Sequence, residues 1–591
     1  MSTILGIYSR NDKIIQKSWG DEMLRASQLW PYDQKGSLTR PLLFLACQQR
    51  FNTPQAPLAK QPYSGSEVSQ DSCLHLVFDG RLDNRKELAV ELKIKLNETT
   101  TDEALLLAAF KVFGKDIGSH LIGDYVVAIY NETNHSLFLL RDHLGVRPLF
   151  IVETNNFIAF SSNKKALLTL PFADRNIDEQ WLADFLTITK VDFSSSFYQG
   201  IKSFMPAHWL YVDAQQLESQ KYWELDINNE IAGLSDEEYI ARFRALLSEA
   251  IECRLRSYGT NASELSGGLD STSITATSAI LLKKRNEVIH AFSHQLPPEY
   301  VGKVYPFSDE SELIDALDKS IDNIQHTSIY SRDEGVIEPI IRSVKIHAGV
   351  QRGDLSVFAG ELFRNLQSQN IRTLLSGFGG DQLVTSHGAG WAEELSNKNE
   401  WKRIWQETNC LLPGIGKRSK FLLSSILKLF SHHLNRAQFN HLRSWKKYKI
   451  NLGVNPHFIE SNNYPQRYFK YPTRPFSGSV KQREFQVIHS PHILYRLEDS
   501  ALGAASYGVD YRYPLLDIRL LQFSLSLPLG QKFRQGIKRR MVRETMQGVL
   551  PDKIRLRHDK SRATIPTVRQ RYVYDKEKLL ALMENLPLPN Y

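Results

Sequence analysis

Cysteine and long apolar runs are both scarce in this chain. Its 591 residues include four cysteines, Cys47, Cys73, Cys253 and Cys410, with no Cys-x-x-Cys pair among them. That scatter argues against a zinc site or a disulfide framework and fits a reducing cytosol. No window offers the ~18 uncharged apolar residues that a membrane span needs, and the N-terminal residues lack the pattern of a secretion signal. We therefore expect a cytoplasmic protein with no membrane span.

The excess of positive over negative charge is also small. A net charge of +8 is a mild bias for a chain of this length. It suits an anionic nucleotide or an acidic peptide, and it does not by itself predict nucleic-acid binding. Hydrophobic residues make up 42% and charged residues 23%, which is ordinary for a soluble globular protein with enough apolar material for more than one core.

Two halves with different patterns follow one another along the chain. Residues 1–210 alternate apolar and polar positions in LHLVFDG (74–80) and DYVVAIY (124–130), and they include one amphipathic helical segment at 102–113. These patterns predict an α+β sandwich. Residues 230–591 are dominated by helical signals, beginning with a capping box at Ser235 and Glu238. Short apolar strands that lead into glycine turns and helices predict a parallel α/β sheet there.

A basic stretch interrupts the second half at about 397–475, with segments such as KRSKFLLSSILKLF and RSWKKYK. The plainer interpretation is an exposed helical insertion with solvated basic faces. The alternative is a docking surface for an acidic partner.

The segment ELSGGLDSTS at 264–273 has the character of a phosphate-binding turn. Its glycines let backbone N–H groups approach a phosphate, and the helix that follows points its positive end at the same place. An acid beside a phosphate makes sense if Mg²⁺ lies between them. No lysine follows at the position typical of hydrolytic P-loops. The candidate nucleotide-binding residues are Leu265, Ser266, Gly267, Gly268, Asp270 and Ser271.

A second turn, SGFGGD at 376–381, repeats the arrangement after the apolar strand IRTLL. Two carboxylates at neighbouring strand ends can hold one Mg²⁺ on a pyrophosphate. The sequence thus predicts Mg²⁺ and a pyrophosphate group as ligands, with Asp270 and Asp381 as metal ligands. The further nucleotide-binding candidates are Ser376, Gly377 and Gly379.

These motifs resemble the asparagine synthetase family, whose pyrophosphatase loop carries the signature SGGLDS. Similar segments occur in the expected order over roughly residues 1–570. They are FDGRLDNRKEL, LIGDYVVAIY and RDHLGVRPLF in the first half, and RYPLLDIRLLQFSLSLP, GIKRRMVRE and LPDKIRLRHDKS in the second. The resemblance implies a glutaminase-like sandwich of the N-terminal-nucleophile type, followed by a synthetase domain of the adenine nucleotide alpha hydrolase type. It also implies that ATP adenylates a carboxylate with the help of Mg²⁺, that pyrophosphate leaves, and that an amine nitrogen then attacks. In the G-x-x-K-x-x-x-R-E pattern it assigns Lys538 to the cation at the phosphates and the developing oxyanion.

The chain departs from that family in its glutaminase half. Gly6-Ile7 is preceded by Leu5, where glutamine-using members have a nucleophilic cysteine. Ser2 has a hydroxyl but is three positions out of register. Asp79 replaces the asparagine that supports an oxyanion, and its carboxylate would repel one. We expect the sandwich domain to be catalytically inactive.

Other details resemble the lasso peptide cyclases within the family, namely GRLDNR (80–85), SGFGGD (376–381) and RLEDSALGAASYGVDYRYPLLD (496–517). Their chemistry would activate an Asp or Glu side chain of a core peptide for attack by the peptide's own α-amine, giving a macrolactam. Glu498 is then the candidate general base, with Asp499 as the alternate. The competing role for Glu498 is an ion pair with Arg496 or a neighbouring arginine.

The resemblance to lasso cyclases also implies partners, namely a processed precursor peptide, a leader-peptide protease and a precursor-recognition protein. In such an enzyme the insertion at 397–475 could form one wall of the cavity that holds the peptide. Two alternatives stay open. One is an ammonia-dependent asparagine-type synthetase, and the other is a non-catalytic protein that binds a nucleotide or peptide.

Overall fold

A computed structural model describes most of the chain. The described residues are 1–64, 73–187, 192–295, 297–298, 310–330, 334–351, 355–412, 414, 416, 418–421, 423, 455–462, 479–558 and 570–585. None of the described helices has the length and apolar character needed to cross a membrane.

The first half of the chain folds into antiparallel sheets that pack face to face. One sheet has the strand order β2-β3-β1-β8-β7-β9, and the other has the order β11-β10-β6-β5-β4. The strands are β1 (Thr3–Ser9), β2 (Gln34–Arg40), β3 (Leu43–Gln49), β4 (Leu74–Leu82), β5 (Gly123–Asn131), β6 (Ser136–Arg141), β7 (Phe150–Glu153), β8 (Phe157–Ser161), β9 (Lys202–Ser203), β10 (His208–Val212) and β11 (Leu217–Lys221).

Alternation along these strands builds the layers. Ile4 and Phe160 of one sheet share a buried cluster with Val77 and Val126 of the other, so the inner faces pack together. The outer faces are covered by helices, which gives the α-β-β-α layering of the predicted α+β sandwich. The helices of this half are Lys17–Ala26, Arg85–Glu91, Asp102–Phe113, Lys164–Leu167 and Glu179–Leu186.

The second half is built on a parallel sheet with the order β14-β13-β12-β15-β16. Its strands are β12 (Asn261–Glu264), β13 (Ile289–His294), β14 (Ile324–Ile329), β15 (Thr373–Leu375) and β16 (Asp510–Arg512). Every pairing in this sheet is parallel. A short antiparallel hairpin, β17 (Phe533–Arg534) and β18 (Ile537–Lys538), lies further along the chain. The predicted fold class, a sandwich followed by a helix-rich parallel α/β domain, is confirmed.

Helices cover this parallel sheet and share a large buried core with it. The first one bears the predicted capping box, in which the Ser235 side chain accepts from the Glu238 backbone and the Glu238 side chain accepts from the Ser235 backbone. The helices are Asp236–Arg254, Leu269–Lys283, Ser311–Asp318, Ile337–His347, Leu355–Phe358, Gly360–Ser368, Trp391–Asn397, Trp401–Leu411, Pro456–Ser461, Val480–Ile488, Pro491–Ala505, Ile518–Ser526, Leu529–Lys532, Arg540–Thr545, Asp552–Arg555 and Lys576–Asn585.

Buried ion pairs join the sandwich to the synthetase half. Arg147 of the sandwich lies 2.6 Å from Asp510 on β16 and 3.8 Å from Asp79 on β4. Arg512 of the synthetase half donates to the carbonyl oxygen of Asn52 in the sandwich half at 2.7 Å. Burial alone would lower the pKa of Arg147, but Asp510 and Asp79 outweigh it and raise that pKa above its usual value. The motif RYPLLD therefore serves in part to hold the two halves together.

The basic insertion lies largely outside the described residues. Of the stretch 397–475, residues 413, 415, 417, 422, 424–454 and 463–475 are not described. All of RSWKKYK and most of KRSKFLLSSILKLF fall on these residues. The helix Trp401–Leu411 belongs to the part that is described. Both interpretations of the insertion stay predictions.

Candidate active site

The two glycine turns leave the parallel sheet at the same edge and touch one another. The register pairs Ser263 on β12 with Leu375 on β15, so both strands end at one level. A Cβ placed on Gly377 would lie 2.8 Å from the Ser271 backbone nitrogen, and one on Gly380 would lie 2.6 Å from the Asp270 carboxyl carbon. The glycines in the second turn are thus required by the close approach of the first turn.

The first turn is organised around its two serines. The Ser266 and Ser271 hydroxyls lie 2.7 Å apart, and the Gly268 N–H donates to Ser266 Oγ at 3.2 Å. Leu265 anchors the turn, because its side chain is buried and its N–H donates to the Phe292 carbonyl oxygen. The helix Leu269–Lys283 begins directly after the turn, with Asp270 in its first turn. The backbone N–H groups in the first turn of this helix, and the positive end of its dipole, favour a phosphate at that place.

The second turn is held in an unusual backbone shape. Gly379 has a φ of +104°, which side chains rarely adopt, and a Cβ there would also lie 2.7 Å from Leu516. Ser376 Oγ accepts from the Phe378 N–H and donates to Glu264 Oε2 at 2.7 Å. Asp381 follows in the single π-helical turn Gly380–Val384, so its carboxylate comes to the same edge as Asp270.

Arg539 bridges the two candidate metal ligands. One guanidinium nitrogen of Arg539 lies 3.4 Å from Asp270 Oδ2. The other terminal nitrogen contacts Asp381 Oδ1 and lies 2.8 Å from His387 Nε2. Arg539 has a φ of +58°, in the left-handed region that costs energy for a residue with a side chain. Since one guanidinium reaches both carboxylates, the two acids lie close enough to share a cation.

The cation at the acids is therefore Arg539, which the sequence interpretation missed in favour of its neighbour. Lys538 also lines the cavity, but its side chain is exposed on β18. The sequence carried the signal. Counting G-x-x-K-x-x-x-R-E from Gly536 places the cation at 539 and the Arg-Glu pair at Arg543 and Glu544.

The predicted general base, Glu498, needs correction. It is not among the described residues that line the cavity. Its side chain is buried between the two halves of the chain, where Oε1 accepts from Arg141 at 3.1 Å and from Ser203 at 2.7 Å. The alternate, Asp499, is fully buried and lies 3.0 Å from His347 Nε2. Glu498 thus forms an ion pair, as the alternative prediction had it, and its partner is Arg141.

A cavity of about 470 Å³ opens over both turns. Its lining includes many cationic side chains, which suits an anionic ligand such as a triphosphate. Those cationic residues are Arg496, Lys538, Arg539, Arg543 and Arg557. Glu310 sits on the first turn, where it accepts from the Gly267 N–H at 3.2 Å and pairs with Arg557 at 3.1 Å.

A larger cavity, of about 950 Å³, lies between the two halves of the chain. Its lining includes Asn261 and His290, which stand at the amino ends of β12 and β13. Ligands of open parallel sheets bind at the carboxyl ends of the strands. The smaller cavity at the glycine turns is therefore the candidate active site.

The residues at that edge fit ATP and Mg²⁺. Asp270 and Asp381 already share a cation in the form of the Arg539 guanidinium, and carboxylates are the ligands that Mg²⁺ prefers. A Cβ on Gly377 or Gly380 would displace Ser271 or Asp270 in the first turn, so these glycines keep the two turns in contact. ATP is a substrate of the implied reaction.

In the sandwich half, the positions that resemble the family's glutaminase residues hold Leu5 and Asp79. Leu5 is fully buried on β1 at the position of the missing nucleophile. Asp79 is also buried, and its Oδ1 accepts from the Ser2 N–H at 2.5 Å. Burial raises the pKa of Asp79, although Arg147 opposes that shift. An aliphatic side chain and a carboxylate bound to an arginine provide neither nucleophile nor oxyanion support.

Two family models match the chain. Residues 1–223 match the glutamine amidotransferase domain, and residues 242–586, more than half of the chain, match asparagine synthase. Similar proteins include asparagine synthetase (glutamine-hydrolyzing) 3 of Bacillus subtilis strain 168. It is 22% identical over 81% of this chain and 74% of its own length.

Other similarities are of the same kind. Asparagine synthetase (glutamine-hydrolyzing) 2 of the same strain is 21% identical over 80% of this chain and 59% of its own length. Amidase chry2 of Gibberella zeae is 22% identical over 83% of this chain and 75% of its own length. Among solved structures, glutamine phosphoribosylpyrophosphate amidotransferase from B. subtilis covers 53% of this chain and 70% of its own. That match has 15% identity and a TM-score of 0.28.

Proposed function

The chain belongs to the asparagine synthase family of ATP-dependent carbon–nitrogen ligases, and on that basis we propose that it makes a macrolactam of the lasso type. Its carboxylate substrate would be an Asp or Glu side chain of a cleaved core peptide. The attacking amine would be that peptide's own α-amine. The products would be the cyclised peptide, AMP and pyrophosphate.

One observation carries this proposal, namely the position of Leu5. Glutamine-dependent amidation needs a nucleophile to release ammonia inside the protein, and the residue at that position is a fully buried leucine. The nitrogen must then come from elsewhere. An amine already on the substrate fits the segments that resemble lasso cyclases, especially SGFGGD at 376–381.

The residues of the site have distinct roles in this proposal. The helix Leu269–Lys283 would bind the triphosphate at its positive end. The N–H groups of Gly267 and Gly268 would join it by exchanging Glu310 and Ser266 for phosphate oxygens.

Arg539 contacts both Asp270 and Asp381. In this proposal it would face the negative charge that grows as the substrate carboxylate attacks the α-phosphorus and pyrophosphate departs, and a preset cation there would lower the barrier. Leu265 and Phe292 add apolar surface to the cavity lining, which would disfavour water beside the acyl-adenylate.

Asp270 and Asp381 are the residues that would hold Mg²⁺. When bound, Mg²⁺ neutralises the charge that builds up on the departing pyrophosphate. Before that, Arg539 keeps the two carboxylates together and compensates their charge.

The test is a reaction with the linear core peptide of the precursor that this proposal expects beside the gene, after its leader has been removed. The purified enzyme with ATP and Mg²⁺ should convert it to a product lighter by one water, with one AMP formed per ring. Asp270→Asn should abolish both products. A linear peptide that is unchanged while ATP is hydrolysed, or a product in which the α-amine is still free, contradicts the proposal.

A second candidate function is the formation of asparagine from aspartate and ammonia. The names of the B. subtilis relatives favour it. It predicts asparagine and AMP when aspartate and ammonium replace the peptide. The peptide proposal predicts neither product from those substrates.

We propose a leader-peptide protease and a precursor-recognition protein as partners. Their genes should lie beside this one, together with the short precursor gene. A neighbourhood without a precursor gene would favour asparagine formation.

A further inference from the structure

One carboxylate next to the two glycine turns has no role in the nucleotide site described above. Glu264 is the last residue of β12, and its partly buried side chain lines the active-site cavity. Its Oε2 accepts from the Ser376 hydroxyl at 2.7 Å. Ser376 is the first residue of the second turn, and Glu264 directly precedes Leu265 of the first turn. The Glu264 carboxylate therefore lies where both turns begin.

The other acids in the described lining of this cavity are already occupied. Asp270 is paired with Arg539, and Glu310 is paired with Arg557 and the Gly267 N–H. Within the described part of the chain, the Glu264 carboxylate is held by a hydroxyl and not by a guanidinium or ammonium group at salt-bridge distance. It is therefore suited to receive a cation from the substrate.

An arginine on the facing helix completes the surroundings of Glu264. Arg496 of the helix Pro491–Ala505 lines the same cavity, and its guanidinium lies 5.5 Å from the centre of the Phe378 ring. Burial opposes its charge, but Tyr511, Tyr513 and Glu264 outweigh that effect and raise the pKa of Arg496. Arg496 thus stays a cation that can hold a substrate carboxylate or carbonyl oxygen beside the acid.

We propose that Glu264 binds the attacking amine as an ammonium ion and acts as its general base. This inference rests on the proposed function only in that an amine attacks an acyl-adenylate, and it holds for a peptide α-amine and for ammonia alike. Glu264 thereby takes the role that the sequence assigned to Glu498. Arg496 is the positioning residue that keeps the acyl group next to the amine.

The proton balance of the step is simple. The Glu264 carboxylate removes one proton from the ammonium group, and the freed nitrogen lone pair forms a bond to the acyl carbon. The acyl C–O bond to the adenylate breaks, and AMP leaves with that electron pair. The second nitrogen proton is lost to solvent as the amide forms. An α-amine has a pKa of roughly 7.7–8.0, so most of it needs deprotonation at neutral pH.

Several elements surround Glu264. They contribute His294 from β13, Tyr511 from β16, Arg496 from the facing helix, and Ser376 and Tyr513, which directly follow β15 and β16. Among these groups Arg496 carries a permanent positive charge.

The test compares two nucleophiles in Glu264→Gln, using whichever carboxylate the wild-type enzyme activates, the linear peptide or aspartate. Hydroxylamine is neutral at pH 7 and traps an acyl-adenylate without a base. Hydroxamate formation should therefore stay at the wild-type rate. Amide formation with the peptide α-amine or ammonium should fall by about 10²- to 10⁴-fold at pH 7, and it should recover partly above the pKa of the amine. Glu264→Asp should retain an intermediate rate.

Controls separate this role from a structural one. Glu287→Gln changes an exposed glutamate of the same domain and should alter neither rate. An equal loss of hydroxamate and amide in Glu264→Gln would overturn the inference, because it would place Glu264 in adenylation or folding. Wild-type amide formation in Glu264→Gln would overturn it as well.

The outcome is independent of the substrate question. If the wild-type enzyme converts aspartate and ammonium and leaves the peptide unchanged, the macrolactam proposal fails. The difference between the two nucleophiles in Glu264→Gln then still decides the role of Glu264.

Discussion

Arg539 and Lys538 are neighbours in sequence, and the structure gives them different surroundings. Arg539→Ala should lower substrate-dependent pyrophosphate release by about 10²- to 10³-fold, because it removes the cation that contacts Asp270 and Asp381. Arg539→Lys should retain part of the rate. Lys538→Ala should cost less than Arg539→Ala, since its side chain is exposed. The reverse order, measured at saturating ATP, would restore Lys538 as the essential cation.

Single residues also show where sequence reasoning succeeds and fails. The glycine turns were predictable because their signal is local: glycines, serines and an acid within a few positions. Glu498 was not, because its partner Arg141 is 357 positions away in the chain. No short motif reveals that a carboxylate will be buried against another domain. Arg539 was within reach, since the spacing to Arg543-Glu544 identifies it.

Glu103 provides a test of burial through pH. It is buried at the start of the helix Asp102–Phe113, and burial, with a smaller effect of Asp102, raises its pKa to about 8. The unfolded chain releases this proton near pH 4.3, so the stabilisation is complete below that pH and is lost as the pH rises through 8. Glu103→Gln should therefore be more stable than wild type at pH 8 and equal to it near pH 4.

The measurement for Glu103 is the urea midpoint at both pH values. Glu22→Gln, which changes an exposed residue of the same domain, should show no such difference. A wild type that is as stable as Glu103→Gln at pH 8 would contradict the raised pKa.

At the scale of elements, the contact between the two turns can be tested by adding one methyl group. The Cβ of Gly377→Ala would lie 2.8 Å from the Ser271 backbone nitrogen, so the turns must move apart. A displacement of about 1 Å can cost about 10²-fold in rate, and we expect a loss of that size in pyrophosphate release. Gly416→Ala is the matched control, because its Cβ would meet open space. Full activity of Gly377→Ala would mean that the turns do not form one site.

The elements themselves were largely predictable, and the reason is periodicity. Alternation in β4 and β5 and the capping box at Ser235 are local signals. The parallel register that places Ser263 beside Leu375 is set by packing of the whole domain. The sequence could only imply it from two strands that each end in a glycine turn.

At the scale of the whole molecule, Arg147 holds the two halves together. Arg147→Met would leave Asp79 buried without an arginine, while Asp510 would keep only Arg512, at 2.7 Å. Breaking such a buried pair costs about 3–5 kcal/mol, and the variant should unfold at a clearly lower urea concentration. Lys283→Met removes an exposed pair with Asp322 and should leave the midpoint nearly unchanged. Equal midpoints for the two variants would contradict a joining role for Arg147.

This interface gives the sandwich a structural role beside the synthetase half. Asp79 belongs to the ion pairs that reach β16. The same strand β16 lies directly beside β15, which carries the second glycine turn. The sandwich therefore supports the sheet edge on which the active site is built.

The most direct test of the account follows an oxygen atom. A substrate labelled with ¹⁸O in the carboxylate that is activated should pass one ¹⁸O to AMP, because that oxygen attacks the α-phosphorus and stays there when the amine displaces AMP. We predict one label in AMP and none in pyrophosphate, with no label transfer in Asp381→Asn. Label in inorganic phosphate, or AMP without label, would contradict adenylation at the two glycine turns.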